Sequence, residues 1–573
     1  MGKIVRWGAN TDRPPRRFGP RLVLAAAVLV VLAAVLFAVR TQWTRLEYDV
    51  VIDNATIVDG TGAPAFRGGV GITEGDIVAV WHGRRWGVHA RKRRINARGL
   101  TLSPGFIDTH SHADFSIGDE NGPIRADNFV AQGVTTVIVG NCGRSQPDMR
   151  QFRAIVNRRG SNVNIATLAG MNTIRRGVLG DSPAAPDPAQ LSRMAADAES
   201  AMRAGALGIS TGFEYVPGRF ATRMEVMTLL RVAARHRGVH TSHVRNEGHF
   251  VRESVADVIA VSSRVGVPLL ISHLKITGRA NCAMLPDLES LLRAAPQPVY
   301  VDQYPYAASS TDLDIYLPDW FLKENSAGRR EVLRNQRQKL KDAVAAHLLS
   351  DGFADLSFAR VSSFVPRPEW NGRTIRDISL RESGDASVSR QLETMLQIVE
   401  GGGAQMVYHN ICPDVVERIQ RDLKPMIGSD SAIRSDVGRG LPHPRGWGAF
   451  AKFLGHSVRK RRVASLPEAI RQMTDLPARF FGISRRGRIE PGYVADLVIF
   501  DPRTIGGRAS YLRPSLRPTG IVYVCVAGEF VVDQRSAITS SLTDITDAAP
   551  GRFIPRNDKL RRDHSGLVAS TLR

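Results

Sequence analysis

The stretch PGFIDTHSHADF, Pro104–Phe115, decides how the chain is read. It runs apolar through Gly105, Phe106 and Ile107, then turns abruptly polar at Asp108, His110, His112 and Asp114. On an extended strand, residues i and i+2 point to the same face. His110 and His112 therefore aim two imidazoles at one point, as a strand end does when it offers two nitrogen ligands to a metal. Two exposed loop histidines are the plainer reading of so short a motif, and the rest of the chain has to decide between them.

Working outward, seven further apolar runs follow: VTTVIVGNCG (134–143), NVNIATLAG (162–170), GALGISTG (205–212), GVHTSHV (238–244), VPLLISHLK (267–275), PVYVDQYPY (298–306) and KPMIGSD (424–430). Between several of them lie amphipathic helix patterns such as PAQLSRMAADAESAMRA and MEVMTLLRVAARHR. Strands alternating with helices argue for a parallel sheet, and eight such units for an α/β protein built on a (β/α)8 TIM-like barrel. Active-site residues of such barrels sit at the C-terminal ends of the strands. His110, His112, Cys142, His243, His273 and Asp430 all fall there. Each alone reads equally well as a hydrogen-bonded core histidine, an inert buried cysteine or a helix-capping aspartate. Six in phase with eight strands read as a site, and imidazole, thiolate and carboxylate together suit zinc.

Before the barrel, YDVVIDNATIVDGTGAP and GGVGITEGDIVAVW read as strands and hairpins, and GRIEPGYVADLVIFDP with GIVYVCVAGEFVVD repeat that character near the end. We expect a small β-sandwich domain assembled from residues 48–102 and 485–537. It flanks a barrel at 103–484, which carries an inserted subdomain at about 311–403. A basic tail at 538–573 reads as disordered. At the other end, Leu22–Val39 is a run of 18 apolar residues preceded by Lys3, Arg6, Arg13, Arg16, Arg17 and Arg21 against Asp12. We expect residues 1–21 to be a basic cytoplasmic segment and 22–39 a transmembrane helix. The chain would then be a single-pass protein of a bacterial inner membrane, with its catalytic part in the periplasm. A cleaved signal peptide is the rival reading.

The chain of 573 residues is 43% hydrophobic, ample for a large core, and carries a net charge of +22. Much of that excess sits in the N-terminus, in GRRWGVHARKRRINAR (83–98) and in the tail. No nucleic-acid-binding motif accompanies it, so no nucleic-acid partner is expected. Four well-separated cysteines, Cys142, Cys282, Cys412 and Cys525, form no CxxC and indicate no disulfide framework, which leaves an isolated pair open.

PGFIDTHSHADF resembles the first metal motif of the amidohydrolase superfamily. GNCG, GALGISTGFEYVPG, HTSHVRNEG, ISHLK, DQYPYAASS, IGSDS and HPRGWGAF are similar, in the same order, to the N-acyl-D-amino-acid deacylase (D-aminoacylase) family. The resemblance spans roughly residues 48–535. It implies a zinc-dependent hydrolase that releases a carboxylate and a D-amino acid from a small N-acyl-D-amino acid. It implies Cys142, His243 and His273 at a tightly held Zn2+, and His110, His112 and Asp430 at a second, weaker position. Asp430 would be the general base and acid toward a metal-activated hydroxide. Tyr215, Lys275, Tyr304, Ser310, Tyr408 and Arg445 would bind substrate. Physical chemistry agrees: zinc lowers the pKa of water toward neutrality, and Lys275 and Arg445 are cations that suit a free carboxylate. Rival readings are a dipeptidase or cyclic-amide hydrolase on the same scaffold, and a catalytically silent, membrane-tethered binding protein.

Overall fold

The computed structural model describes residues 24, 25, 27–33, 46–118, 121–434, 440–533 and 545–557. Eight short parallel strands form the barrel: Phe106–Asp108, Val134–Val139, Asn164–Thr167, Gly208–Gly212, Val239–His243, Leu269–Ile271, Val299–Gln303 and Met426–Ile427. Consecutive strands pair in parallel, and Ala169–Gly170 carries the third strand over to the fourth. Closure runs from the eighth strand to the first. Asp430 N–H donates to the His110 carbonyl at 2.7 Å, His112 N–H donates to the Ser431 carbonyl at 2.9 Å, and Ser111 bridges Ser431 in parallel. These bonds draw the two ends of the reading frame, His110–His112 and Asp430, into one rim.

The helices follow from local chemistry. Pro188–Arg203 starts at an Asp187–Gln190 capping box, with Pro188 in the first turn, and buries Met194, Ala198 and Met202 at a spacing of four. Arg223–Arg235 starts at the equivalent Thr222–Glu225 box.

The two β segments expected to form a sandwich pair instead into one continuous eight-stranded sheet. Leu46–Ile57 accepts Phe66–Thr73 on one side and both Val88–Asn96 and Thr101–Pro104 on the other. Leu497–Phe500 then joins antiparallel to Thr101–Pro104, which links the two ends of the chain. Val50, Ile52, Ile72, Leu102, Leu497 and Ile499 share its core. The basic run is a strand of this sheet, and its cations are met by carboxylates: Arg93 with Asp533, Arg94 with Asp53, Lys92 with Asp49.

The insertion leaves the barrel after the seventh strand. It opens and closes on adjacent antiparallel strands, Ser309–Asp312 and Gln405–Tyr408, with Ala359–Ser363 on the other side of the latter. Helices including Arg337–Ser350 and Val388–Glu400 pack over them around a separate core containing Phe321, Trp370, Met395 and Met406. A disulfide between Cys282 and Cys412 ties the loop after the sixth strand to the point where the insertion returns.

Two expectations are corrected. Within Leu22–Val39 the described residues 24, 25 and 27–33 are helical and exposed. Among the described residues no helix is long and apolar enough to cross a membrane. The single-pass anchor, and the inner-membrane and periplasmic placement built on it, are therefore withdrawn; an apolar run and its basic flank alone carried them. The basic segment 1–21 lies outside the described residues. Within the tail expected to be disordered, residues 545–557 run along the barrel. Gly551 bridges Ser161, Phe553 bridges Ile165, and Phe553 and Ile554 are buried.

Candidate metal centre and active site

The strand ends converge as their spacing predicts. Cys142 Sγ lies 3.2 Å from His110 Nε2, 3.5 Å from His273 Nε2 and 3.7 Å from His243 Nδ1, and the last two nitrogens are 3.0 Å apart. Asp430 Oδ1 is 3.3 Å from His112 Nε2 and 3.8 Å from His110 Nε2. Three sets of donor atoms, His110–Cys142–His273, His110–His112–Asp430 and His243–Glu247–His273, each fit within 4.8 Å. His110 belongs to the first two of these, although the family resemblance assigns it to the second position alone.

Bringing these six candidate ligands together at strand ends bends the backbone. Cys142, His273 and Asp430 all adopt positive φ, at 51°, 35° and 49°, a region non-glycine residues enter only when their surroundings impose it. Gly428 lets the eighth strand pass against the first, since a Cβ there would meet His110 Cβ at 2.6 Å.

Carboxylates stand behind the imidazoles. His243 Nε2 faces Glu214 at 2.9 Å, and His273 Nδ1 sits between Glu247 Oε1 at 3.1 Å and Lys275 Nζ at 2.8 Å. Lys275 Nζ also donates to Glu247 at 2.5 Å. Asp302 accepts the His273 backbone N–H at 2.5 Å and places its other oxygen 3.7 Å from His110 Nδ1. Asp108 accepts the N–H groups of His110 and Ser429. An outer carboxylate fixing which ring nitrogen faces inward is the usual support of a metal-ligating histidine. His110 Nδ1 is buried with no hydrogen-bond partner among the described atoms.

Electrostatics point the same way. Burial would raise the Cys142 thiol, yet His110 and its neighbours hold it well below the ordinary cysteine value. Burial would lower His112 and His243, but Asp430 and Cys142 lift the first to about 9, and Glu247 with Cys142 lifts the second to about 10. Burial would raise Asp430, while Arg445 and His112 hold it well below the usual carboxylate range. A thiolate and a carboxylate ringed by imidazoles that gather protons form a cluster that calls for a cation. A divalent metal meets that demand and displaces the protons. The residues fit one.

The expected substrate-binding groups divide. Arg445 Nη1 pairs with Asp430 Oδ2 at 2.8 Å and its Nη2 donates to the Ser310 carbonyl at 3.1 Å. The Arg445 guanidinium lies over the Tyr304 ring at 4.7 Å. Tyr215, Lys275, Tyr304, Ser310 and Arg445 line a cavity that also contains His243, His273 and Asp430. The Tyr304 hydroxyl is buried without a hydrogen-bond partner, and burial pushes its pKa up to about 12. Tyr215 Oη accepts from Thr311. Tyr408 is not brought there: its ring belongs to the core of the insertion, 5.1 Å from Tyr316. Glu214, Glu247 and Asp302 were not anticipated. Each lies inside a motif already quoted (STGFEY, HTSHVRNEG, DQYPY), but no spacing rule marks a supporting carboxylate.

Comparison with known proteins places this geometry. The model of the amidohydrolase family matches residues 380–532. N-acyl-D-glutamate deacylase of Alcaligenes xylosoxydans xylosoxydans is 32% identical over 85% of this chain and 94% of its own length. D-aminoacylase of the same organism is 29% identical over 84% and 94%. The solved N-acyl-D-glutamate deacylase of Bordetella bronchiseptica, complexed with zinc and a phosphonate mimic of the tetrahedral intermediate, superposes with a TM-score of 0.72 at 31% identity. It covers 89% of this chain and 100% of that one. A D-aminoacylase structure addressing that enzyme's binuclear metal centre superposes at 0.73 with 29% identity over the same shares. The fold and the site thus define a metal-dependent amidohydrolase, a hydrolase of carbon–nitrogen amide bonds. Within that class the chain belongs to the N-acyl-D-amino-acid deacylase family.

Proposed function

We propose that this chain hydrolyses the amide bond of N-acyl-D-amino acids with zinc as its metal. Cys142, His243 and His273 would hold the principal ion, and His110, His112 and Asp430 a second, weaker one. The observation that carries the reading is the convergence of a buried thiolate, four imidazoles and Asp430 beside two cations, Lys275 and Arg445, on one cavity wall. A zinc ion there supplies Lewis acidity toward the amide carbonyl and acidifies water. The protein's own groups do the rest. Asp430, kept ionised by Arg445, accepts a proton from the attacking water and delivers it to the departing amine. Lys275 and Arg445 offer charge to the substrate carboxylate, Arg445 through the Nη2 that otherwise donates to the Ser310 carbonyl while its Nη1 stays on Asp430. The unpartnered Tyr304 hydroxyl is a donor in waiting, aimed at developing negative charge.

The test uses the full chain purified without chelator. Zinc per chain is measured together with hydrolysis of paired N-acetyl-D- and N-acetyl-L-amino acids, with Asp430→Asn as the control. We expect about one zinc per chain, turnover of the D-isomers, and a loss of about 10²–10⁴-fold in kcat for Asp430→Asn. Zinc-loaded protein that cleaves dipeptides or cyclic amides alone would overturn the substrate class; zinc-loaded protein inert to all of them would overturn the proposed function.

A further inference from the structure

Above the ligand cluster the open space divides into two arms that share Asp430, Arg445, Tyr215 and Ser310. One arm passes His112 and Cys142 toward Arg144 and Arg434. The other passes His273 and Lys275 toward Thr277, Asn410, His347 and Asp351. Lys275 faces only the second arm. Resting on the deacylase reading above, in which Lys275 helps hold the substrate's carboxylate, the amino-acid half lies in the second arm and the acyl group in the first.

The end of that second arm is acidic. Asp351 follows the helix Arg337–Ser350 of the insertion and is 4% exposed. One of its oxygens accepts from Asn281 Nδ2 at 3.3 Å. The other has His347 Nε2 at 3.8 Å, longer than a hydrogen bond. The remaining carboxylates of the cavity are matched: Glu214 with His243, Glu247 with Lys275, Asp430 with Arg445. Among the described residues, no lysine or arginine pairs with Asp351. A substrate side chain ending in a carboxylate would be driven against a buried like charge. One ending in an ammonium or guanidinium would supply the missing partner, with Asn410 and Thr277 beside it for its remaining protons. The relatives named for D-glutamate and D-aspartate act on acidic side chains; this wall has the opposite sign.

We propose that Asp351 is a specificity-determining residue and that the substrates of this chain are N-acyl-D-amino acids with cationic side chains. The experiment compares kcat/KM of the zinc-loaded chain for N-acetyl-D-lysine, N-acetyl-D-leucine and N-acetyl-D-glutamate, then repeats it with Asp351→Asn. We expect lysine to exceed glutamate by about tenfold or more, and that ratio to fall by about tenfold in Asp351→Asn. A preference for glutamate in the unaltered chain overturns the proposal without recourse to any variant. So does an Asp351→Asn ratio that does not move. Turnover of N-acetyl-D-leucine with no lysine preference sinks this inference and leaves the deacylase reading standing. Absence of turnover on all three overturns both.

Discussion

The rim of the barrel and the insertion face each other across one cavity, and they are built by different rules. On the rim each functional group is set by a strand end: His110 and His112 after the first strand, Cys142 after the second, His243 at the end of the fifth, His273 after the sixth, Asp430 after the eighth. Neighbouring strands lie about 5 Å apart, so residues at the same height converge whatever the intervening loops do. The insertion has its own core and its own sheet, and it meets the cavity through a helix end at His347–Asp351 and the strand Ser309–Asp312. The rim presents soft and imidazole ligands that suit a metal. The insertion presents a carboxylate and hydroxyls that suit a side chain. In the proposed reading, chemistry is carried by the repeating part of the fold, and selection by the part interrupting it.

The largest effect that would break this division is at Cys142. Cys142→Ala removes the one soft ligand of the proposed principal position and leaves two nitrogens, from His243 and His273. We expect zinc content to fall to near zero and kcat to drop by about 10³-fold or more, with the chain still folded by circular dichroism. A variant that kept full activity would show that the metal is not held where the strand ends meet.

Next in size is Glu247, which touches no substrate in this reading but braces both His273 and Lys275. Glu247→Gln should weaken zinc affinity or activity by about 10–100-fold. Because Lys275 loses its partner as well, KM should rise along with the loss of metal. A purely structural role would lower stability and leave zinc affinity unchanged at temperatures where the protein is folded.

The disulfide marks the seam between the two regions. Cys282 and Cys412 are 130 residues apart in sequence; beside them Thr277 bridges Ile411, and Thr277 and Asn410 line the second arm. Cys282→Ser with Cys412→Ser should cost about 2–5 kcal/mol of stability. It should raise KM a few-fold, about the size of a loosened wall, while zinc content stays near that of the parent. Loss of zinc instead would mean that rim and insertion are one unit.

How much of this was legible in the sequence follows the same division. His110, His112, Cys142, His243, His273 and Asp430 could be found because strand geometry is periodic and their motifs are local. Tyr408 was placed at the site although it lies in none of the quoted motifs, and it instead packs beside Tyr316 in the insertion. Asp351 and the Cys282–Cys412 bond were invisible because each depends on where a long insertion comes back. Glu214, Glu247 and Asp302 had their motifs in view, but an acidic residue behind a histidine has no signature of its own. The apolar run at Leu22–Val39 was read from hydropathy and length, which do not themselves fix a helix; among the described residues no helix is long and apolar enough to cross a membrane.

The smallest expected effect concerns a histidine on the same strand as His243. His240 lies three residues earlier, so it faces the other side of the strand. There Thr211 Oγ1 at 2.9 Å and Ser262 Oγ at 2.8 Å occupy both ring nitrogens. Burial drives its pKa down to about 3, so the folded chain keeps it neutral. In the unfolded chain it titrates near the ordinary value of about 6.5. Between those values the unfolded state binds the extra proton. Stability is therefore complete above about pH 6.5 and falls as the pH drops toward 3, by up to about 1.4 kcal/mol per pH unit from this group. Denaturant midpoints of the parent and His240→Gln, measured from pH 7 to pH 4, should differ in slope, with the variant losing less as acid is added. Parallel slopes would mean that His240 already carries a proton in the folded state, and that the two faces of the fifth strand do not divide into a packing face and a metal-facing one.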